Sequence, residues 1–124
     1  MFEAMFRRKD VQCRERAVRQ LTIRSAREDH VHLVELIGEL DTDSAAAFED
    51  ELKRVEATDA DEIVVDLTRL KSIDAVGVKA FIQADSRSRG NGGRLVLIGG
   101  SGQVRRIFET YGLTTRLPFA DVVR

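Results

Sequence analysis

Three carboxylates, Asp41, Asp66 and Asp74, stand at the ends of apolar runs. Strand ends of this kind are where open α/β sheets carry their active sites, and two carboxylates held close can divide acid and base work. Here no nucleophile or cation accompanies them. The chain has no C-x-x-C, H-E-x-x-H or G-x-S-x-G pattern. Gly100-Ser101-Gly102 follows an apolar run and opens a helical pattern, where N–H groups can hold phosphate. A dinucleotide fingerprint needs a third glycine where this chain has Arg105, and the phosphate-loop lysine is also missing. These glycines suit a tight strand-to-helix turn; nucleotide binding near Gly99–Gly102 stays open. His30 and His32 are two apart and would share one face of a strand, but a metal site needs further ligands. They read as exposed strand-end histidines. Cys13 has no histidine base near it in sequence and reads as a bystander thiol. The expectation is a protein without catalytic residues, metal or cofactor.

The chain has 124 residues, enough for one domain with one core. It is 43% hydrophobic and 33% charged, a globular balance that argues against disorder. A net charge of -1 and the absence of Trp give no global field or stacking platform for nucleic acid. No apolar run reaches the ~18 residues of a membrane helix. With one cysteine and no secretory pattern at the N-terminus, a reducing cytoplasm is the expected compartment.

The elements that must position these groups begin after residue 20. Residues 1–20 carry six basic and three acidic side chains and read as a loosely ordered basic extension. Phe2, Met5 and Phe6 sit at i, i+3 and i+4, which also suits a short amphipathic helix for docking or self-association. From Leu21 two runs, separated by Glu28-Asp29, predict a β-hairpin. Asp41 to Ser44 is rich in helix-capping side chains and precedes a stripe of Ala45, Phe48, Leu52 and Val55. Ile63–Leu67 is β-branched with little alternation, as in a central strand buried on both faces. A connection through Thr68 and Ser72, the latter read as a turn residue, leads to Asp74. The helix that follows carries Val78, Phe81 and Ile82 and is expected to end near Ser88, before Gly90-Asn91-Gly92-Gly93. Arg94–Ile98 reads as another buried strand. A last helix carries Val104, Ile107, Phe108 and Tyr111 and stops at Gly112. Thr115–Leu117 suits a short edge strand. The result is one α/β domain over 21–124, of order β-β-α-β-α-β-α, with a mixed sheet of four to five strands and three to four helices.

Several of these segments, in order, resemble the STAS domain. Gly38-Glu39-Leu40-Asp41 is similar to its strand-to-helix junction. Ile63–Leu67 is similar to the strand before its switch loop, and Ile73-Asp74 with Gly77 frames that loop. Gly92–Leu97 and Val104–Glu109 are similar to its later strand and helix. The resemblance covers roughly Leu21 to Phe119.

This resemblance implies a non-catalytic binding protein. The best-known members are anti-sigma-factor antagonists, which bind an anti-sigma factor that is also an ATP-dependent serine kinase. The residue two places after the loop aspartate is usually the Ser or Thr that the kinase phosphorylates. Here that place holds Val76, and neither Val76 nor Ala75 can take phosphate. Ser72 and Thr68 are the nearest hydroxyls, and neither occupies the family position. The resemblance thus makes Asp74, Ala75, Val76 and Gly77 the partner-binding loop, with Gly38 and Asp41 beside it. It implies a bacterial regulatory module that is not switched by phosphorylation at the usual place. Two further roles fit it: a scaffold assembling with other STAS proteins, or an accessory subunit on a transporter ATPase. A homodimer through the basic extension is compatible with either.

Overall fold

The computed structural model describes residues 12–100 and 102–120. Three antiparallel strands open the fold: β1 (Gln12–Val18), β2 (Leu21–Glu28) and β3 (Val31–Leu40). Two-residue turns join them, and Arg19 and Asp29 enter these turns with φ of 57° and 56°. A turn that reverses twisted strands in two residues needs such a left-handed backbone.

The chain then alternates. Helix α1 (Thr42–Glu56) leads to β4 (Glu62–Asp66), which lies parallel to β3. A short β5 (Leu70–Ile73) runs beside the last residues of β3. Helix α2 (Ala75–Asn91) leads to β6 (Arg94–Ile98), parallel to β4, and α3 (Gly102–Thr110) follows. The six-stranded sheet has the order β1-β2-β3-β4-β6, with β5 on β3.

Alternation along the strands separates two faces. Leu21, Ile23, Val34, Leu36, Val65, Leu95 and Leu97 pack under the three helices in one core. Phe48 of α1, Phe81 of α2, Phe108 of α3 and Phe119 stack in series, with ring centroids 5.0, 5.7 and 5.2 Å apart. Each tilted or edge-on pair adds about 0.5–1.5 kcal/mol beyond its burial. Arg87 of α2 also clasps α1, donating to Glu56 at 2.9 and 3.1 Å and to Glu49 at 3.2 Å.

The fold class stands as expected, with differences in detail. The sheet has six strands because residues 12–18 and 70–73 are also paired. Residues 12–18, placed in a loose extension, form an edge strand; every side chain up to Ala17 is exposed, so no apolar alternation marks it. The short helix around Phe2, Met5 and Phe6 lies outside the described residues. β5 has only four residues, below the length at which periodicity speaks. Helix α2 runs past Ser88 to Asn91 and stops at Gly92, whose φ of 74° is left-handed. Tyr111 is exposed rather than part of the apolar stripe of α3. The segment 115–117 is a turn; the late contact with the sheet is a single parallel bridge from Phe119 to Leu97, after Pro118.

Candidate functional site

The parallel pairing of Leu40 with Ile73 brings the ends of β3 and β5 side by side. The next residue on each strand, Asp41 or Asp74, is an extended N-cap of a helix. Asp41 Oδ1 accepts the N–H groups of Asp43 and Ser44 at 3.0 and 3.2 Å, and Ser44 Oγ accepts the Asp41 N–H at 3.1 Å. This is a reciprocal capping box.

Asp74 does more than cap its own helix. Its Oδ1 accepts the Gly77 N–H at 3.0 Å. Its Oδ2 accepts the Thr42 N–H at 3.0 Å and the Thr42 hydroxyl at 3.3 Å, both on α1. Its own N–H donates to Leu40 O at 3.1 Å. One carboxylate therefore serves the N-termini of two helices, where both macrodipoles favour negative charge. A single cap of this kind is worth about 1 kcal/mol.

Glycines make the close approach possible. A Cβ on Gly77 would stand 2.8 Å from Ile73 Cγ1 and 3.0 Å from Leu40 Cγ. Gly38 sits at φ 108° where the β3–β5 register shifts, and a Cβ there would meet Gln20 O at 2.1 Å. Gln103, on α3, completes the frame. Its side-chain oxygen accepts the Ile73 N–H at 3.0 Å and its amide donates to Ile73 O at 3.2 Å, so one side chain occupies the free edge of β5.

With the backbone fixed on these sides, Ala75 and Val76 point outward on the first turn of α2, and Val76 is 43% exposed. Lys79 and Ile82 continue that exposed face. Further along, Ile82, Asp85 and Arg89 border a groove of about 450 Å³ whose other wall is Leu113 and Leu117.

Of the residues singled out in the sequence, Gly38, Asp41, Asp74 and Gly77 come together here. Asp66 does not. It is buried at the end of β4, and its Oδ1 accepts the Thr68 N–H at 2.9 Å. Thr68 is exposed in the turn after β4, close against Gly99. Ser72 is a strand residue of β5 opposite Glu39, half-buried, and not a turn residue. The carboxylates bind backbone N–H groups, so what this arrangement does chemically is to hold a surface still. Among the described residues no three His, Cys, Asp or Glu side chains converge as metal ligands.

The opposite end of the sheet holds a second polar cluster. Glu51 of α1, 5% exposed, accepts Ser25 Oγ at 2.6 Å and Arg54 at 2.6 and 3.2 Å. Burial alone would raise the Glu51 pKa; the hydrogen bonds from Arg54 and Ser25, with the charges of Arg54 and Arg14, outweigh it and hold the carboxyl below its usual range. His32 beside it is buried, which corrects the expectation of an exposed histidine; only His30 is exposed. Burial, then the charges of Arg54 and Arg27, lower the His32 pKa to about 4 against the weaker pull of Glu51. Among the described residues the buried His32 Nδ1 has no hydrogen-bond partner. A glutamate three residues after Phe48, on the apolar stripe of α1, was the sequence signal for this cluster. Gln103 had none, since its exposed position resembles any solvated helix residue.

The family model described as "Mlab, STAS domain" matches residues 23–123. The chain belongs to the STAS family. An anti-sigma-B factor antagonist of Listeria monocytogenes is 26% identical over 102 residues, covering 82% of this chain and 89% of that protein. Among solved structures, an anti-sigma factor antagonist from Mycobacterium paratuberculosis superposes with a TM-score of 0.70 at 21% identity, covering 90% of this chain and 88% of the other. The anti-sigma factor antagonist SpoIIAA in its unphosphorylated form gives 0.65 at 19% identity, over 91% and 90%. These structural likenesses concern the fold.

Proposed function

We propose that this STAS domain is a non-catalytic regulatory binding module of the anti-sigma-factor-antagonist type, with the surface around Val76 as its contact. The observation that carries the reading is a branched apolar side chain, 43% exposed, on a helix start held by Asp74, Gln103 and Gly77. An exposed apolar group on rigid backbone suits a protein interface, because little entropy is lost when a partner covers it. The partner class is an anti-sigma factor or serine kinase of the ATP-binding type, in the cytoplasm. Among the described residues no helix is long and apolar enough to cross a membrane.

Val76 has the shape of threonine with a methyl in place of the hydroxyl. Phosphate at this place would add about -1.5 to -2 charges to the contact. Val76 keeps the surface in one state, and Ser72 and Thr68 stand on other elements. The missing hydroxyl also favours a second reading over a regulated switch: a scaffold among other STAS proteins, or an accessory subunit on a transporter ATPase.

Affinity capture from the native cells, with wild-type and Val76→Glu baits in parallel, tests the proposal. Recovery of an ATP-binding kinase or sigma-regulating protein by the wild type, and its loss with Val76→Glu, is the expected result. Equal recovery by both baits would remove Val76 from the contact. Recovery of STAS proteins or a transporter ATPase alone would replace the antagonist role with the second reading.

A further inference from the structure

Beside the Glu51 cluster lies a cavity of about 300 Å³, lined by side chains of β1, β2 and β3 and by Arg54 and Thr58 at the end of α1. Strand register explains the lining. Gln12 stands opposite Arg27 and Arg27 opposite His32, while Arg14 stands opposite Ser25 and Ser25 opposite Val34. Directly opposed residues project to one face of a sheet, and residues two apart share that face. Val34 belongs to the core under the helices, so this whole group lies on the helix side.

The cavity is one-sided in charge. Arg14, Arg27 and Arg54 line it, and among the described residues no carboxylate does. Glu51 answers Arg54 at 2.6 Å and Arg14 at 3.7 Å. Arg27 pairs with Asp59, whose side chain is 85% exposed. Together the three guanidiniums carry more N–H donors than these two carboxylates can accept. His32 also lines the cavity, 5% exposed and with its Nδ1 unpartnered among the described residues. Arg27 acts on it from β2, Arg54 and Glu51 from α1, and Ile63, its neighbour on β4, brings no charge. The two cations prevail over Glu51, and with burial they lower the His32 pKa to about 4. Surplus donors around a buried, unsatisfied ring call for an acceptor that the chain does not supply.

We propose that this cavity binds a phosphate-type oxyanion, as inorganic phosphate or as the phosphate of a small monoester. Arg14, Arg27 and Arg54 supply charge-assisted donors to it. His32, neutral at pH 7 in the empty site, gains a proton when the anion offsets the arginine charges, so binding and protonation favour each other. The volume lies at the lower end for ligand pockets and suits a small anion. The site is at the opposite end of the sheet from Val76 and does not rest on the Val76 contact.

Inorganic phosphate titrated into the isotope-enriched full chain, at an ionic strength held constant with sodium chloride, tests the site by NMR. Saturable shifts are expected at Ser25, Arg27 and His32, with the amides of Val76 and Lys79 unmoved. In saturating phosphate the titration midpoint of the His32 ring should rise by about one unit. Arg27→Gln leaves the bonds to Glu51 intact and should weaken phosphate binding roughly tenfold with an unchanged melt. Glycerol phosphate in place of inorganic phosphate separates the two sources: tighter binding assigns the site to a monoester, weaker binding to the free ion. Equal shifts with chloride alone would overturn the proposal, as would an unmoved His32 midpoint or full affinity in Arg27→Gln.

Discussion

At the Asp74 end of the sheet, carboxylates are bonded to backbone. Asp41 and Asp74 accept N–H groups from two helix starts, and the side chain carried outward is apolar and exposed. At the His32 end, the buried Glu51 carboxylate is bonded to Ser25 and Arg54, and Ser25 and His32 beside it are buried as well. Both ends are polar, yet they perform different work. Backbone-bonded charges fix a loop while leaving its outward positions free to change identity. Side-chain-bonded charges fix α1 to the sheet and leave nothing free. The contrast separates a surface that can be rewritten without unfolding from one that cannot.

The largest effect should come from the backbone frame of the first end. Gly38→Ala puts a Cβ 2.1 Å from Gln20 O at a left-handed φ. A loss on the order of 3 kcal/mol is expected in chemical denaturation; a loss below about 0.5 kcal/mol would mean that the β3–β5 junction is not rigid.

The second end should show itself in acid. The unfolded chain binds a proton at His32 near pH 6.5, while the native chain resists it down to about 4. Between those values the unfolded state holds more protons, so stability falls as pH falls, by up to about 3 kcal/mol at pH 4. Glu51, held below its usual range, adds its own loss only at the acid edge of this window. His32→Gln should flatten the stability curve between pH 6.5 and 4.5, as followed by thermal melts. A slope unchanged by this substitution would assign the titration elsewhere.

Asp74→Ala removes ties to both helix starts, and about 2 kcal/mol of stability should go with it. Partner affinity should fall further than stability alone explains, because Val76 loses its fixed position. Asp41→Ala, which unties only α1, should cost about 1 kcal/mol and affect binding less. Parallel melts and binding titrations of the two variants compare one shared cap with one private cap.

Much of this was legible in the residues. The stripe from Ala45 to Val55, the β-branched run at Ile63–Leu67 and the capping groups from Asp41 to Ser44 are local signals, and they placed α1 and β4; the apolar spacing of Val78 and Phe81 placed the helix after Asp74. What escaped depends on partners distant in sequence. Residues 12–18 form a strand because β2 offers an edge, not because their own side chains alternate. β5 is defined by its pairing with β3. Gln103 matters only because α3 lies against Ile73, and the lowered His32 pKa depends on burial and on the charges of Arg54 on α1 and Arg27 on β2. The shared role of Asp74 was half visible: its place before a helix is read from sequence, but its bond to Thr42 needs the parallel register of β3 and β5.

The smallest expected effect on stability bears most directly on function. Val76 lies on the first turn of α2, where a carboxylate is favoured by the helix dipole. Val76→Glu should therefore melt within about 0.5 kcal/mol of wild type. The decisive measurement is the affinity of the wild type and of Val76→Glu for the purified captured partner, by titration calorimetry, with folding checked by melting. About tenfold or greater weakening with an unchanged melt is what the Val76 contact requires. Equal affinity in two equally stable proteins would contradict it and move the binding surface away from the start of α2.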